Sequence, residues 1–337
     1  MLWAGAGAAV SVGVMRAVYA ESINPDNPLA GLVVGERPEP QAAEGWTTVR
    51  VMASALNHHD LWSLRGVGLS AEQLPMILGC DAAGVDEDGN EVVVHAVVGD
   101  PAAGDGDETL DPKRSLLSER HQGTLADLVT VPRRNLVPKP EGMTWTDAAC
   151  LPTAWLTAYR MLTTRGRLRE GGSVLVQGAG GGVATAAIVL AGALGARVYA
   201  TSRDAAKREN AAGLGATVLA PGERLPERVD VVVETVGEAT FDHSVKSTKP
   251  GGRIVVSGST SGHLATVDLR RIFFLQQEVV GSTMGTRDEL AALLELMAAR
   301  KIAPVVDTVF DFADARGAFE RLAAGAGFGK IVLDHQG

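Results

Sequence analysis

The chain has 337 residues, 46% of them hydrophobic and 21% charged, with 40 glycines. That is too long for one small core and ordinary for an α/β protein of two domains. A net charge of −9 without any Lys/Arg cluster argues against nucleic acid and for a small-molecule partner. Two cysteines, Cys80 and Cys150, are too few for a disulfide framework and fit a reducing, cytoplasmic setting.

Residues 1–14 are expected to be an N-terminal extension. Their Ala/Gly-rich apolar stretch follows no basic residue and is too short to span a bilayer, and alternation over 16–21 starts the fold near Met15. No other segment reads as transmembrane. Up to Pro138, short alternating runs such as TTVRVMASA (47–55) and ADLVTV (126–131) predict a β-rich part. Between them GDPAAGDGDETLDPKRS (99–115) lacks periodicity and predicts a mobile surface loop. Beyond Pro140, strands alternate with helices. Six strands are expected, VLVQ (174–177), RVYAT (197–201), ATVLA (216–220), VDVVVE (229–234), RIVVSG (253–258) and EVVGST (278–283), with helices at 183–194, 204–214 and 239–248. This is the pattern of a doubly wound parallel sheet. RDELAALLELMAARK, PVVDTVF, a helix at 314–324 and KIVLD close the chain as helix–strand–helix–strand.

The sharpest local signal is SVLVQGAGGGVATAAIVLAGALGARVYATSRDAAKR (173–208). Backbone N–H groups at a helix N-terminus can meet a pyrophosphate only where no side chain intervenes. In register, Ala179, Gly181 and Ala184 occupy the three small-residue positions of the dinucleotide fingerprint, with Gly180, Gly182 and Val183 between them. Where an NAD-selective site would place a carboxylate, the second strand ends in Ser202 and Arg203, with Lys207 one turn on. A hydroxyl and two cations suit a 2′-phosphate, which predicts NADP(H). The alternative makes Asp204 the ribose acid, although its position also suits the N-cap of AAKREN.

The ordered motifs LNHHDLWSLRG (56–66), LGCDAAG (78–84), GTLADLVTVP (123–132), TDAACLPTAWLTAYR (146–160), VLVQGAGGGV (174–183), GSTMG (281–285) and FGKIVL (328–333) resemble the medium-chain dehydrogenase/reductase superfamily. The likeness is to its zinc-independent, quinone-oxidoreductase-like branch. It implies a GroES-like catalytic domain from 15–137 and 285–337, and a Rossmann NADP(H)-binding domain over 138–284. It also implies a homodimer joined through the Rossmann sheets, and cofactor contacts from Thr157, Gly258, Met284 and Lys330, whose ammonium would reach the phosphates.

In the zinc enzymes of this superfamily three side chains hold a catalytic zinc; those positions read here Asn57, Cys80 and Thr153. Asn and Thr are poor zinc donors, so no metal is expected, and the 99–115 loop carries no cysteine for a structural zinc. An improvised site from His58, His59, Asp60 and Cys80 is the alternative; otherwise Cys80 is a small buried filler. Without a Lewis acid, activated acceptors suit hydride transfer better than simple alcohols. The resulting expectation is NADPH-dependent reduction of a quinone or an α,β-unsaturated carbonyl. Asn57 would lie by the nicotinamide, His59 would donate the proton, and Asp60 would fix the loop. Tyr159 is either a second donor or a packed aromatic. A zinc alcohol dehydrogenase and a non-catalytic NADPH sensor are the competing readings.

Overall fold

The computed structural model describes residues 13–337. Most of the expected extension lies outside them, and Val14 already opens a strand, Val14–Ala20, paired antiparallel with Leu32–Pro38. Among the described residues no helix is long and apolar enough to cross a membrane.

The central part of the chain builds one parallel sheet. Its strands are β1 (Ser173–Val176), β2 (Arg197–Thr201), β3 (Thr217–Leu219), β4 (Val229–Glu234), β5 (Thr248–Val256) and β6 (Glu278–Gly281), in the order β3-β2-β1-β4-β5-β6. Covered on both faces, β1 and β4 are nearly continuous in buried Val and Leu, as a parallel sheet requires. Helix α1 (Gly182–Ala193) turns Ala184, Ala186, Ala187 and Ala191 inward, so small side chains let it lie close to the sheet. Helix α2 (Ala205–Gly213) links β2 to β3. All six expected strands form. A short helix, Leu269–Phe274, escapes the sequence reading because it has no buried face to impose a periodicity.

The β-rich part is built from both ends of the chain. Trp46–Ala55 pairs on one side with Asp81–Asp86 and on the other with the last strand, Lys330–Asp334, where Val332 faces Ala55. Val306–Asp311 completes that edge. One buried cluster runs from Ala53, Ala55 and Ala83 through Leu151, Trp155 and Leu156 to Val174 and Val176, so a continuous core fixes the two halves against each other.

The 99–115 segment departs from the expected mobile loop. It forms two short helical turns, Pro101–Gly104 and Glu108–Leu110, with Glu108, Thr109 and Asp111 buried. Asp100 and Asp107 cap these turns by accepting from the backbone of Ala102 and Thr109. Asp107 also pairs with Arg160, which donates to Glu289 at 2.8 Å, and Glu108 accepts from the Arg287 amide at 2.6 Å. Order here comes from carboxylates on single partners, which leave no periodic trace in a sequence.

Candidate active site

The glycine-rich turn leaves β1 through Gly178 (φ 75°) and Gly180 (φ 137°), backbone conformations that favour glycine. A Cβ at Gly180 would fall 2.7 Å from Cδ of Lys207, and one at Gly182 would fall 2.9 Å from Cδ of Lys330. At Gly181 it would meet nothing within 4 Å. Gly181 therefore borders open space at the N-terminus of α1, while Ala179 and Ala184 are buried and Val183 is half-buried. Open space before a helix N-terminus, bare of side chains, fits a pyrophosphate.

At the end of β2, Ser202 is buried and its hydroxyl accepts from the Asp204 amide at 3.2 Å. Asp204 accepts from the Lys207 amide at 3.1 Å and so caps α2. Arg203 is exposed, and Arg208, a cation the sequence reading missed within AAKREN, donates to the Ser202 carbonyl at 2.6 Å. The Lys207 ammonium is turned away from this group, donating to the Gly325 carbonyl at 2.6 Å with its stem across Gly180. In this structure Arg203 and Arg208, rather than Arg203 and Lys207, flank Ser202.

Opposite the glycine turn lies a buried charge pair. The Lys330 ammonium donates to the Leu56 carbonyl at 2.7 Å, to Oδ1 of Asn57 at 2.8 Å and to Oδ2 of Asp81 at 2.8 Å. The Asn57 amide donates to the same carboxylate at 2.9 Å. An ammonium has three donors, and all three are used. Lys330, expected to reach the phosphates, bridges the glycine turn in this structure, through its stem, to Asn57 and Asp81. Asp81 was missed because the Cys80–Asp81 pair drew attention only to its thiol; its Oδ1 is buried without a partner. Asp60 accepts from the amides of Asn57 at 2.8 Å and Gly79 at 2.9 Å, which holds the loop. Burial pushes its carboxyl pKa up.

On the helix His58–Leu64, His59 faces a second set of groups. Its Nε2 lies 3.2 Å from Oε1 of Glu119 and its Nδ1 lies 3.6 Å from Sγ of Cys80. Burial opposes its charge, but Cys80, Glu119 and Asp60 together raise its pKa. Glu119 carried no sequence signal, being 60 residues from His59 in an aperiodic loop. A cavity of about 390 Å³ adjoins this set, lined by Arg114, Leu116, Glu119, Thr283 and Met284 among others. Met284, with φ 46°, packs against Cys80. Thr157 is buried in Leu156–Arg160, Gly258 sits close to the Thr235 backbone, and Tyr159 packs on the core.

The donors present do not fit a three-ligand zinc. The Asn57 amide is committed to Lys330 and Asp81, Glu119 takes the outer nitrogen of His59, His58 is exposed, and the Thr153 hydroxyl is buried without a partner. Among the described residues no three His, Cys, Asp or Glu side chains converge as a metal would require.

Residues 43–141 match the family described as alcohol dehydrogenase GroES-like domain, and residues 204–333 the family described as zinc-binding dehydrogenase. An acryloyl-coenzyme A reductase of Metallosphaera sedula is 30% identical over 322 residues, covering 90% of this chain and 96% of the relative. A solved NAD-dependent alcohol dehydrogenase superimposes with a TM-score of 0.86 at 33% identity, over 95% of this chain and 100% of that one. The 2-octenoyl-CoA carboxylase reductase CinF, solved with NADP and 2-octenoyl-CoA, gives a TM-score of 0.86 at 26% identity, over 96% and 89% of the two chains. With its GroES-like and Rossmann halves and these matches over nearly its whole length, the chain belongs to the medium-chain dehydrogenase/reductase superfamily.

Proposed function

We propose that the chain is an NADPH-dependent reductase that delivers hydride to the conjugated position of an α,β-unsaturated carbonyl or a quinone without catalytic zinc. The observation that carries this reading is the Lys330 bridge, which sets Asn57 one lysine length from the glycine turn, beside the His59–Glu119 pair and its cavity. Oxidoreductase chemistry of the enone type is broadly supported by the acryloyl-coenzyme A reductase relative and by CinF.

Bound nicotinamide nucleotide supplies the hydride. The amides at Gly181, Gly182 and Val183 would receive the pyrophosphate, and Ser202, Arg203 and Arg208 the 2′-phosphate. The absence of an acidic side chain at the tip of β2, where Asp204 is spent as a helix cap, favours the phosphorylated form over that named for the NAD-dependent relative. Asn57, fixed by Lys330 and Asp81, offers a rigid wall to the nicotinamide. As negative charge develops on the substrate oxygen, His59 donates a proton, and Glu119 orients the ring and stabilises its charged form. Met284 and Leu116 line the cavity with apolar surface.

The test is NADPH and NADH oxidation by the purified protein across enones, enoyl thioesters, quinones and aldehydes, with zinc content measured on the same sample. Faster turnover of enones with NADPH by zinc-free protein is expected. Aldehyde reduction that tracks stoichiometric zinc would replace this reading with the alcohol-dehydrogenase one, and NADPH binding without turnover would favour a sensor. A homodimer is proposed through the edge of β6, where Val279 and the neighbouring Phe273 and Phe274 are exposed; sedimentation giving a monomer would remove it.

A further inference from the structure

The two cysteines of the chain stand in opposite surroundings. Cys150 is wholly buried, donates to the Thr146 carbonyl at 3.2 Å and has no imidazole beside it; burial pushes its thiol pKa up to about 12. Cys80 is also screened from bulk water, yet its sulfur has Nδ1 of His59 at 3.6 Å, Oγ of Ser118 at 3.7 Å and the Leu117 carbonyl at 3.2 Å. Glu119 holds the far nitrogen of the same imidazole. This is a thiol, a base and a group that orients the base, in the sequence of contacts that activates a nucleophile. Val97, Leu116 and Met284, which pack on Cys80, are also walls of the 390 Å³ cavity, so a ligand there is one side-chain layer from the sulfur.

We infer that Cys80 is a covalent modification site of the cleft, a thiol that His59 and Glu119 activate to add to electrophilic alkenes. The Sγ–H proton passes to Nδ1 of His59 and sulfur bonds to the β-carbon of the alkene. The C=C π pair moves onto the carbonyl oxygen, and the imidazolium returns the proton to the α-carbon. One S–C and one C–H bond form, one S–H bond and one C=C π bond break, and no oxidant or reductant is required. At rest the thiol donates to the Leu117 carbonyl at 3.2 Å. The inference rests on the proposed function only in that the natural electrophile would be an unsaturated substrate; such a compound would then block the enzyme whenever reduced nucleotide is scarce.

The test treats folded, full-length protein with N-ethylmaleimide in the absence of nucleotide and follows adducts by intact mass and peptide mapping. Cys80 is expected to label about tenfold or more faster than Cys150, which serves as the internal reference. In His59→Gln and in the milder Glu119→Gln, Cys80 labelling should slow by about tenfold, with Cys150 labelling and circular dichroism unchanged. Equal rates at the two cysteines, labelling of Cys80 only in urea, or unchanged Cys80 rates in the folded variants would overturn the inference. Because no NADPH is present, failure here leaves the reductase reading untouched.

Discussion

The two walls of the cleft are built on opposite principles. The Rossmann wall leaves space: at Gly181 a side chain would meet no atom within 4 Å, with the Lys207 and Lys330 stems to either side at Gly180 and Gly182. The facing wall is crowded with charge, yet every donor of Lys330 is satisfied by Leu56, Asn57 and Asp81. The first wall leaves room, and the second holds polar groups where they cannot relax. Substitutions should therefore fail differently on each side, by lost affinity on one and by lost stability on the other.

The largest effect is expected from breaking the charged wall. Lys330→Met leaves the fully buried Asp81 carboxylate without its cation, a loss of about 3–5 kcal/mol that urea unfolding would register. The double variant Lys330→Met with Asp81→Asn should recover part of it. Filling the empty wall comes next. Gly181→Val keeps an allowed backbone, since Gly181 has φ −77°, but should weaken NADPH binding about 100-fold, roughly 2.7 kcal/mol by titration, with the thermal midpoint unmoved. An equal loss of stability would mean that the opening is not empty.

His335 supplies a third condition, a buried ring on which desolvation outweighs the nearby carboxylates. Burial, opposed by Asp127 and Asp334, lowers its pKa to about 3, while Nε2 stays bonded to Ser54 at 2.8 Å. Above about pH 6.5 the ring is neutral folded and unfolded, so it adds no pH dependence. Below that only the unfolded chain takes the proton, and stability falls until the folded ring titrates near pH 3. By pH 5 the loss is roughly 2 kcal/mol, and His335→Gln should remove that slope from unfolding curves. The smallest effect belongs to the rim. Arg203→Ser should cut the preference for NADPH over NADH about tenfold, or ~1.4 kcal/mol, measured as the ratio of kcat/KM values.

The Rossmann half was legible because its rules are local. Buried parallel strands must be apolar runs, and a phosphate turn must be small, so β1 to β6 and the Gly181 opening could be read directly. Asp204 as a helix cap was legible for the same reason. The charged wall was not, since Lys330 meets Asp81 across 249 positions and Glu119 meets His59 across 60. Nothing in the spacing of either pair announces the contact. The 99–115 segment was misjudged because its order depends on Arg160, Arg287 and Glu289, all distant in the sequence.

The central claim is that hydride enters at the conjugated carbon while the protein supplies the proton. NADPH deuterated at the transferring position of the nicotinamide, reacted with an α,β-unsaturated thioester in ordinary water, tests it most directly when the product is read by NMR. The account predicts deuterium on the β-carbon and a solvent-derived proton on the α-carbon of a saturated thioester. Deuterium on the carbonyl carbon, in an allylic aldehyde or alcohol, would contradict it.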